Sequence, residues 1–229
     1  MHGFGLYLLF FIPPLILGFA VQGWLKKTVG QQLQVPVANG LSGAQAAREI
    51  LDRNGLHAVP IERAAGGALS DNYDPRKRTL SLSEPVYDGR SVASTAIAAH
   101  EVGHAIQHAK AYKPMEVRSA MFPAVSFASN TWFILLLFGA FTRALGLVLV
   151  AVVLYGAVVL FQIVTLPVEF DASRRALAQI SSLGLVTAGE SRGSRRVLTA
   201  AAMTYVAGAL AAVAQLAYFV LVYFGGNRN

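Results

Sequence analysis

The sequence predicts a multi-pass α-helical membrane protein that carries a small polar α+β unit, and three observations predict it. Of 229 residues, 55% are hydrophobic and only 14% are charged, too few charges for an ordinary soluble domain. The charges avoid four runs, Met1–Leu25, Ser119–Thr142, Ala144–Val168 and Val197–Asn227, which hold 25, 24, 25 and 31 residues. Of 19 basic residues, 12 fall between the first and second runs and 5 between the third and fourth.

An α-helix needs about 20 apolar residues to cross a bilayer core, so each run is long enough to span. Helices buried in soluble cores are seldom so long or so free of charge on every face. Residues 1–25 are read as a retained transmembrane helix and not a signal peptide. The run has no basic leading region, passes through Pro13-Pro14 and Gly18, and ends at Trp24-Leu25-Lys26-Lys27 without a small-residue cleavage site. Residues 26–118 form the polar unit, 119–168 a transmembrane hairpin turning at Arg143, 169–196 a second polar segment, and 197–229 a fourth transmembrane helix with a short tail. Trp24, Tyr155, Tyr218 and Tyr223 are expected near lipid headgroups.

The positive-inside rule then places 26–118 and 169–196 in the cytoplasm and both termini outside, with Arg143 and Arg228 on the outer side. The net charge of +7 is accounted for by topology, with membrane lipid as its partner; nothing points to nucleic acid. With no cysteine there is neither a disulfide framework nor a thiolate metal site.

Within the polar unit, Val35–Gly40 reads as a loop, and Ser42 can cap a helix whose Ala46, Ala47, Ile50 and Leu51 share one face before Asn54-Gly55 stops it. Val59, Ile61, Leu80 and Leu82 suggest short strands. Asn72-Tyr73-Asp74-Pro75-Arg76 reads as a turn, while Thr79–Ser83 alternates with period two as a half-buried strand should. A further helix begins at Ser91, a suitable N-cap, and runs to about Lys110.

The chemistry lies on that last helix. His100-Glu101-Val102-Gly103-His104 is HExxH, and residues at i and i+4 of a helix project from one face about a turn apart, as two ligands of one Zn²⁺ must. Glu101 sits beside that face, able to reach a water activated by the metal without binding the metal itself. The expected reaction is hydrolysis of a peptide bond by metal-activated water, with Glu101 as general base.

Two histidines and a water leave zinc one protein ligand short. A third histidine six residues on is absent, since position 110 is Lys. His108 repeats the i+4 spacing, but three ligands along one straight helix would spread over about 12 Å, so it is read as a polar helix-end residue. Glu169, emerging directly after the third run on the same side as the HExxH helix, is the better candidate. The alternative for Glu169 is an interfacial carboxylate paired with Arg174 or Arg175, and Asp171 is a weaker candidate ligand.

Asn72–Arg76, Ser83-Glu84-Pro85-Val86-Tyr87, Gly89-Arg90-Ser91-Val92, Ala98–His108 and Leu166-Pro167-Val168-Glu169-Phe170-Asp171-Ala172-Ser173 together resemble the YugP-type neutral zinc metallopeptidases of bacterial membranes, over nearly the whole chain. The resemblance implies a zinc-dependent peptidase with one Zn²⁺ per chain, integral to the bacterial inner membrane, acting on protein or peptide substrates. More distantly the chain is similar to the membrane gluzincins of the HtpX and CAAX-prenyl-protease type, which imply a zincin-like unit with His100, His104 and Glu169 as ligands. Those relatives carry an Asp four residues after the ligand Glu, where this chain has Ser173. Support for a metal-bound histidine is therefore sought in Ser173, Asp171 or elsewhere. Arg174, Arg175, Tyr73 and Tyr87 are candidates to stabilise the oxyanion.

An exposed edge at Thr79–Ser83 is expected to accept an extended peptide, and membrane or membrane-proximal proteins are the substrates such a site reaches most easily. A non-proteolytic zinc-binding scaffold is the alternative. It is disfavoured by Glu101, since a structural site has no use for a general base. A transporter is weaker still, because the runs hold Gln162 and Gln215 but no charge to mark a pathway. No motif specifies an oligomeric state.

Overall fold

The computed structural model describes residues 2–67 and 69–225; Arg228, assigned above to the outer side, and the rest of the tail from 226 lie outside the described residues. The chain is mostly helical. Its elements are α1 (His2–Leu33), α2 (Gly43–Arg53), β1 (Ile61–Arg63), β2 (Asn72–Asp74), β3 (Thr79–Leu82), α3 (Glu84–Tyr87), α4 (Val92–Ala109), α5 (Lys113–Thr142), α6 (Leu145–Ser182) and α7 (Ala188–Phe224). Among the described residues, four helices are long and apolar enough to cross a membrane: Gly5–Leu33, Lys113–Thr142, Leu145–Ser182 and Ala188–Tyr223. They outlast the charge-free runs, because the i→i−4 ladder continues wherever backbone partners exist, whether the side chains are apolar or charged.

The chain divides into two units. The first comprises 1–21, 116–167 and 204–229. Its core gathers Leu136, Val148, Ala151, Val152, Val159, Ala212 and Phe219. Tyr155 is part of this core, its ring 4.4 Å from Trp132 and edge-on to Phe219 at 5.7 Å. Aromatic stacking of this kind gives the ring apolar neighbours that an exposed ring lacks. Outside the core the unit is greasy, with Phe19 72%, Phe141 89% and Leu145 75% exposed, a surface suited to hydrocarbon and not to water.

The second unit comprises 22–115 and 168–203. Ser42 caps α2 in a reciprocal box with Gln45, worth about 1 kcal/mol, and Ala46, Ala47, Ile50 and Leu51 are all fully buried, as the sequence pattern requires. Beyond the helix, Gly55 takes a φ of +72°, where a side chain would be strained. The three strands lie in the order β1-β3-β2, with β1 parallel and β2 antiparallel to β3. Two sequence expectations are corrected here. Thr79–Leu82 is the central strand, paired on both sides, so it offers no free edge. Asn72–Asp74 is an edge strand and not a turn; the turn is the Pro75–Arg78 connection, where Asp74 Oδ1 accepts from the backbone N–H groups of Arg76 and Lys77. So short a polar edge strand shows no apolar alternation, which is why only its turn residues were visible.

Candidate metal centre

Helix α4 starts where Ser91 Oγ accepts from Ser94 N–H, and it is buried along most of its length. The small residues Ala98, Ala99, Gly103 and Ala105 let neighbours approach closely. The closest approach is at Gly103, where a Cβ would stand 2.6 Å from the carbonyl oxygen of Ala172 on α6. That contact brings Glu169, one turn earlier on α6, against the two histidines of α4. One ligand atom from each of His100, His104 and Glu169 lies within 4.8 Å of the others.

The separations suit a metal. Glu169 Oε2 is 3.3 Å from His100 Nε2 and 3.6 Å from His104 Nε2. Ligands at about 2.0–2.1 Å from a tetrahedral zinc are about 3.3 Å apart. The far nitrogens of both rings are held from behind. Ser173 Oγ lies 3.2 Å from His100 Nδ1, and Gln107 Oε1 lies 3.0 Å from His104 Nδ1.

The Gln107 amide fixes a tautomer. Its Nε2 donates to Val168 O at 2.8 Å and to Asp171 Oδ2 at 2.9 Å, so Oε1 is the acceptor facing His104. His104 Nδ1 therefore carries a proton, the arrangement in which Nε2 is the ring atom available to a metal. Nε2 and the Glu169 carboxylate face each other, each with little exposure to water. A bound cation satisfies both, and the donor set of two imidazoles and a carboxylate is one that zinc takes.

Glu101 stands outside the ligand cluster, with 8% exposure. Burial lifts its carboxyl to about 7; the Glu169 and Asp71 carboxylates push the same way, while His100 and a hydrogen bond from the Tyr73 backbone oppose. Asp171 is turned away from the cluster, gripped by Arg174 and by Arg175 Nε at 2.5 Å, with Gln107 as its third partner. Both arginines are thus engaged by Asp171, not Glu169. His108 also stands apart, its Nδ1 2.9 Å from the Tyr73 hydroxyl, and the Tyr87 ring lies under the Arg63 guanidinium at 4.4 Å.

The residue that the sequence reading missed is Gln107. Its only available signal was position: it follows His104 by three and so shares that face of the helix. Gln107→Leu keeps the volume but leaves the His104 N–H without an acceptor. Zinc binding is expected to weaken about 10–100-fold, read by competition against a chelating dye. An unchanged zinc affinity would remove Gln107 from this role.

Residues 7–224 match the family described as "Putative neutral zinc metallopeptidase". The chain is 43% identical over 222 residues to the Bacillus subtilis (strain 168) protein named "Putative membrane protease YugP", covering 97% of this chain and 98% of that protein. No solved structure matches.

Proposed function

The chain belongs to the neutral zinc metallopeptidase family, and from that premise we propose that it is a zinc-dependent, membrane-embedded endopeptidase with Glu101 as its general base. The observation that carries the reading is the facing arrangement of the His100 and His104 Nε2 atoms and Glu169 Oε2, at the spacing of a tetrahedral set, beside a buried carboxylate that is not part of it. We assign His100, His104 and Glu169 as the ligands of one Zn²⁺. The chemistry zinc supplies in such a set is polarisation of a peptide carbonyl and a lowered pKa for water.

The chain's own residues do the rest. Glu101 takes the proton of the attacking water at its carboxylate and passes it to the departing amine nitrogen. Ser173 and Gln107 keep the histidine rings turned toward Glu169. Asp171, neutralised by two arginines, holds Gln107 in place.

The HExxH helix, the three-stranded sheet and the ligand-bearing part of α6 make up the zincin-like unit of this reading. Its cytoplasmic placement at the bacterial inner membrane, with both termini outside, rests on the 12 and 5 basic residues of the two polar segments. With β3 in the centre of the sheet, an extended substrate can add as a strand only at an outer edge, and β2, which packs against the α4 helix that carries Glu101, is the suitable one. Membrane proteins and their juxtamembrane tails are the substrate class, since Glu169 follows directly on the charge-free run 144–168.

The test uses the full chain purified in detergent, with zinc measured by mass spectrometry and cleavage of unfolded casein followed in the same samples. About one zinc per chain is expected, with cleavage that stops on chelation and returns on adding zinc, and Glu169→Ala is expected to lose the metal. Full zinc in Glu169→Ala overturns the ligand assignment. Zinc-loaded protein that cleaves nothing favours the scaffold reading.

A further inference from the structure

Within the second unit, α6 and α7 leave a groove of about 480 Å³ between them. The two helices are joined by the short connection 183–187, so their lining residues can be ordered by distance from that turn. Along α6 the order away from the turn is Ser181, Leu177, Arg174, Phe170; along α7 it is Ser191, Arg195, Leu198, Met203. The α7 wall runs from hydroxyl through guanidinium to a mainly apolar end, while on α6 Arg174 lies between Leu177 and Ser173, with Phe170 at the far end. The lining includes two arginines and no carboxylate. One of them, Arg174, shares Asp171 with Arg175, so two positive charges meet a single negative one there. Beyond Phe170 and Met203, each helix enters a stretch of sequence without charge, 145–168 on α6 and 204–224 on α7.

We propose that this groove binds an anionic phospholipid, its phosphate between Arg174 and Arg195 and the start of an acyl chain along Phe170, Leu198 and Met203. The two arginines stand at a similar distance from the turn and offer guanidinium groups for the phosphate, and Phe170, Leu198 and Met203 lie beyond them for the hydrocarbon. A soluble anion would use the arginines but gain nothing from the apolar end. A zwitterionic lipid would gain the apolar end but bring a compensating positive charge. The volume is that of a small-molecule site, enough for a headgroup with the first part of a chain. The occupant would lie close to the metal centre, since Ser173, which meets His100 Nδ1, also lines the groove.

The test is native mass spectrometry of the full chain released from detergent micelles, titrated with phosphatidylglycerol or with phosphatidylcholine of the same acyl chains. Phosphatidylglycerol is expected to remain as a one-to-one adduct and phosphatidylcholine to dissociate. Each arginine lost is expected to lower retention about fivefold, so R195Q falls about fivefold and R174Q/R195Q about 25-fold. R195K retains the lipid, which separates loss of charge from loss of fold. R192Q, an exposed arginine of α7 outside the groove, is expected to behave as wild type. Equal retention of the two lipids, or an R192Q loss equal to that of R195Q, overturns the proposal. So does displacement by inorganic phosphate at the lipid's own concentration, which marks a soluble-anion site, or by an acidic peptide, which marks a substrate subsite. Lipid retention is read without peptide cleavage, so its outcome is independent of the peptidase reading.

Discussion

Glu101→Gln is expected to keep about one zinc per chain and to slow peptide cleavage about 10²–10⁴-fold, the usual contribution of a positioned general base. The two halves of that expectation come from separate features of the site. Metal retention follows because Glu101 is not in the cluster of ligand atoms formed by His100, His104 and Glu169. The amide has the size of the carboxylate, so the buried position is not emptied. Loss of rate follows because an amide oxygen does not take a proton from water at neutral pH. The measurement is zinc content and casein cleavage on one preparation. Cleavage at the wild-type rate would dismiss Glu101 as the base, and loss of zinc together with activity would make it a structural member of the centre.

How far the site could be read from the residues depended on whether its parts were periodic or topological. HExxH is a spacing within one helix, and the Ser91 cap and i, i+4 geometry follow from that spacing alone. Glu169 was reached by counting the charge-free runs as crossings, an inference about topology and not about contact, and its carboxylate faces the two histidines. The network behind the histidines was only half legible. Ser173 was singled out because it stands where distant relatives have Asp, and the structure does set it against His100. Asp171, however, reaches His104 only through Gln107, and a buried glutamine carries no periodic or compositional mark. The sheet was the least legible part. The order β1-β3-β2 puts the most apolar strand in the middle, and three-residue flanking strands give too few alternations to tell an edge from a turn.

Gly103→Ala is expected to lower zinc affinity by on the order of 100-fold, although the substitution adds one methyl group and touches no ligand. Alanine is the better helix former, so the backbone of α4 by itself would welcome it. The obstacle is α6. The added Cβ would meet Ala172 O at 2.6 Å and the Ala172 carbonyl carbon and Cα at 3.1 Å, all backbone atoms with no rotamer to change. Relief needs the helices to part by roughly 0.5–1 Å to restore ordinary packing distances, whereas a zinc site tolerates only about 0.2 Å in each ligand distance. The parting acts where it does most harm, because Ala172 lies one turn beyond Glu169 and beside Ser173, while Gly103 adjoins His104. Gln107 would also be drawn from Val168 O and Asp171, loosening the His104 tautomer. Overpacking of this size costs about 1–3 kcal/mol of stability, so the variant is expected to fold with a lowered melting temperature. Cobalt substitution separates the two effects: a folded Gly103→Ala protein should show a weakened tetrahedral absorption band beside a near-native circular dichroism spectrum. Wild-type zinc affinity in that variant would mean that the approach of α4 to α6 does not set the ligand distances.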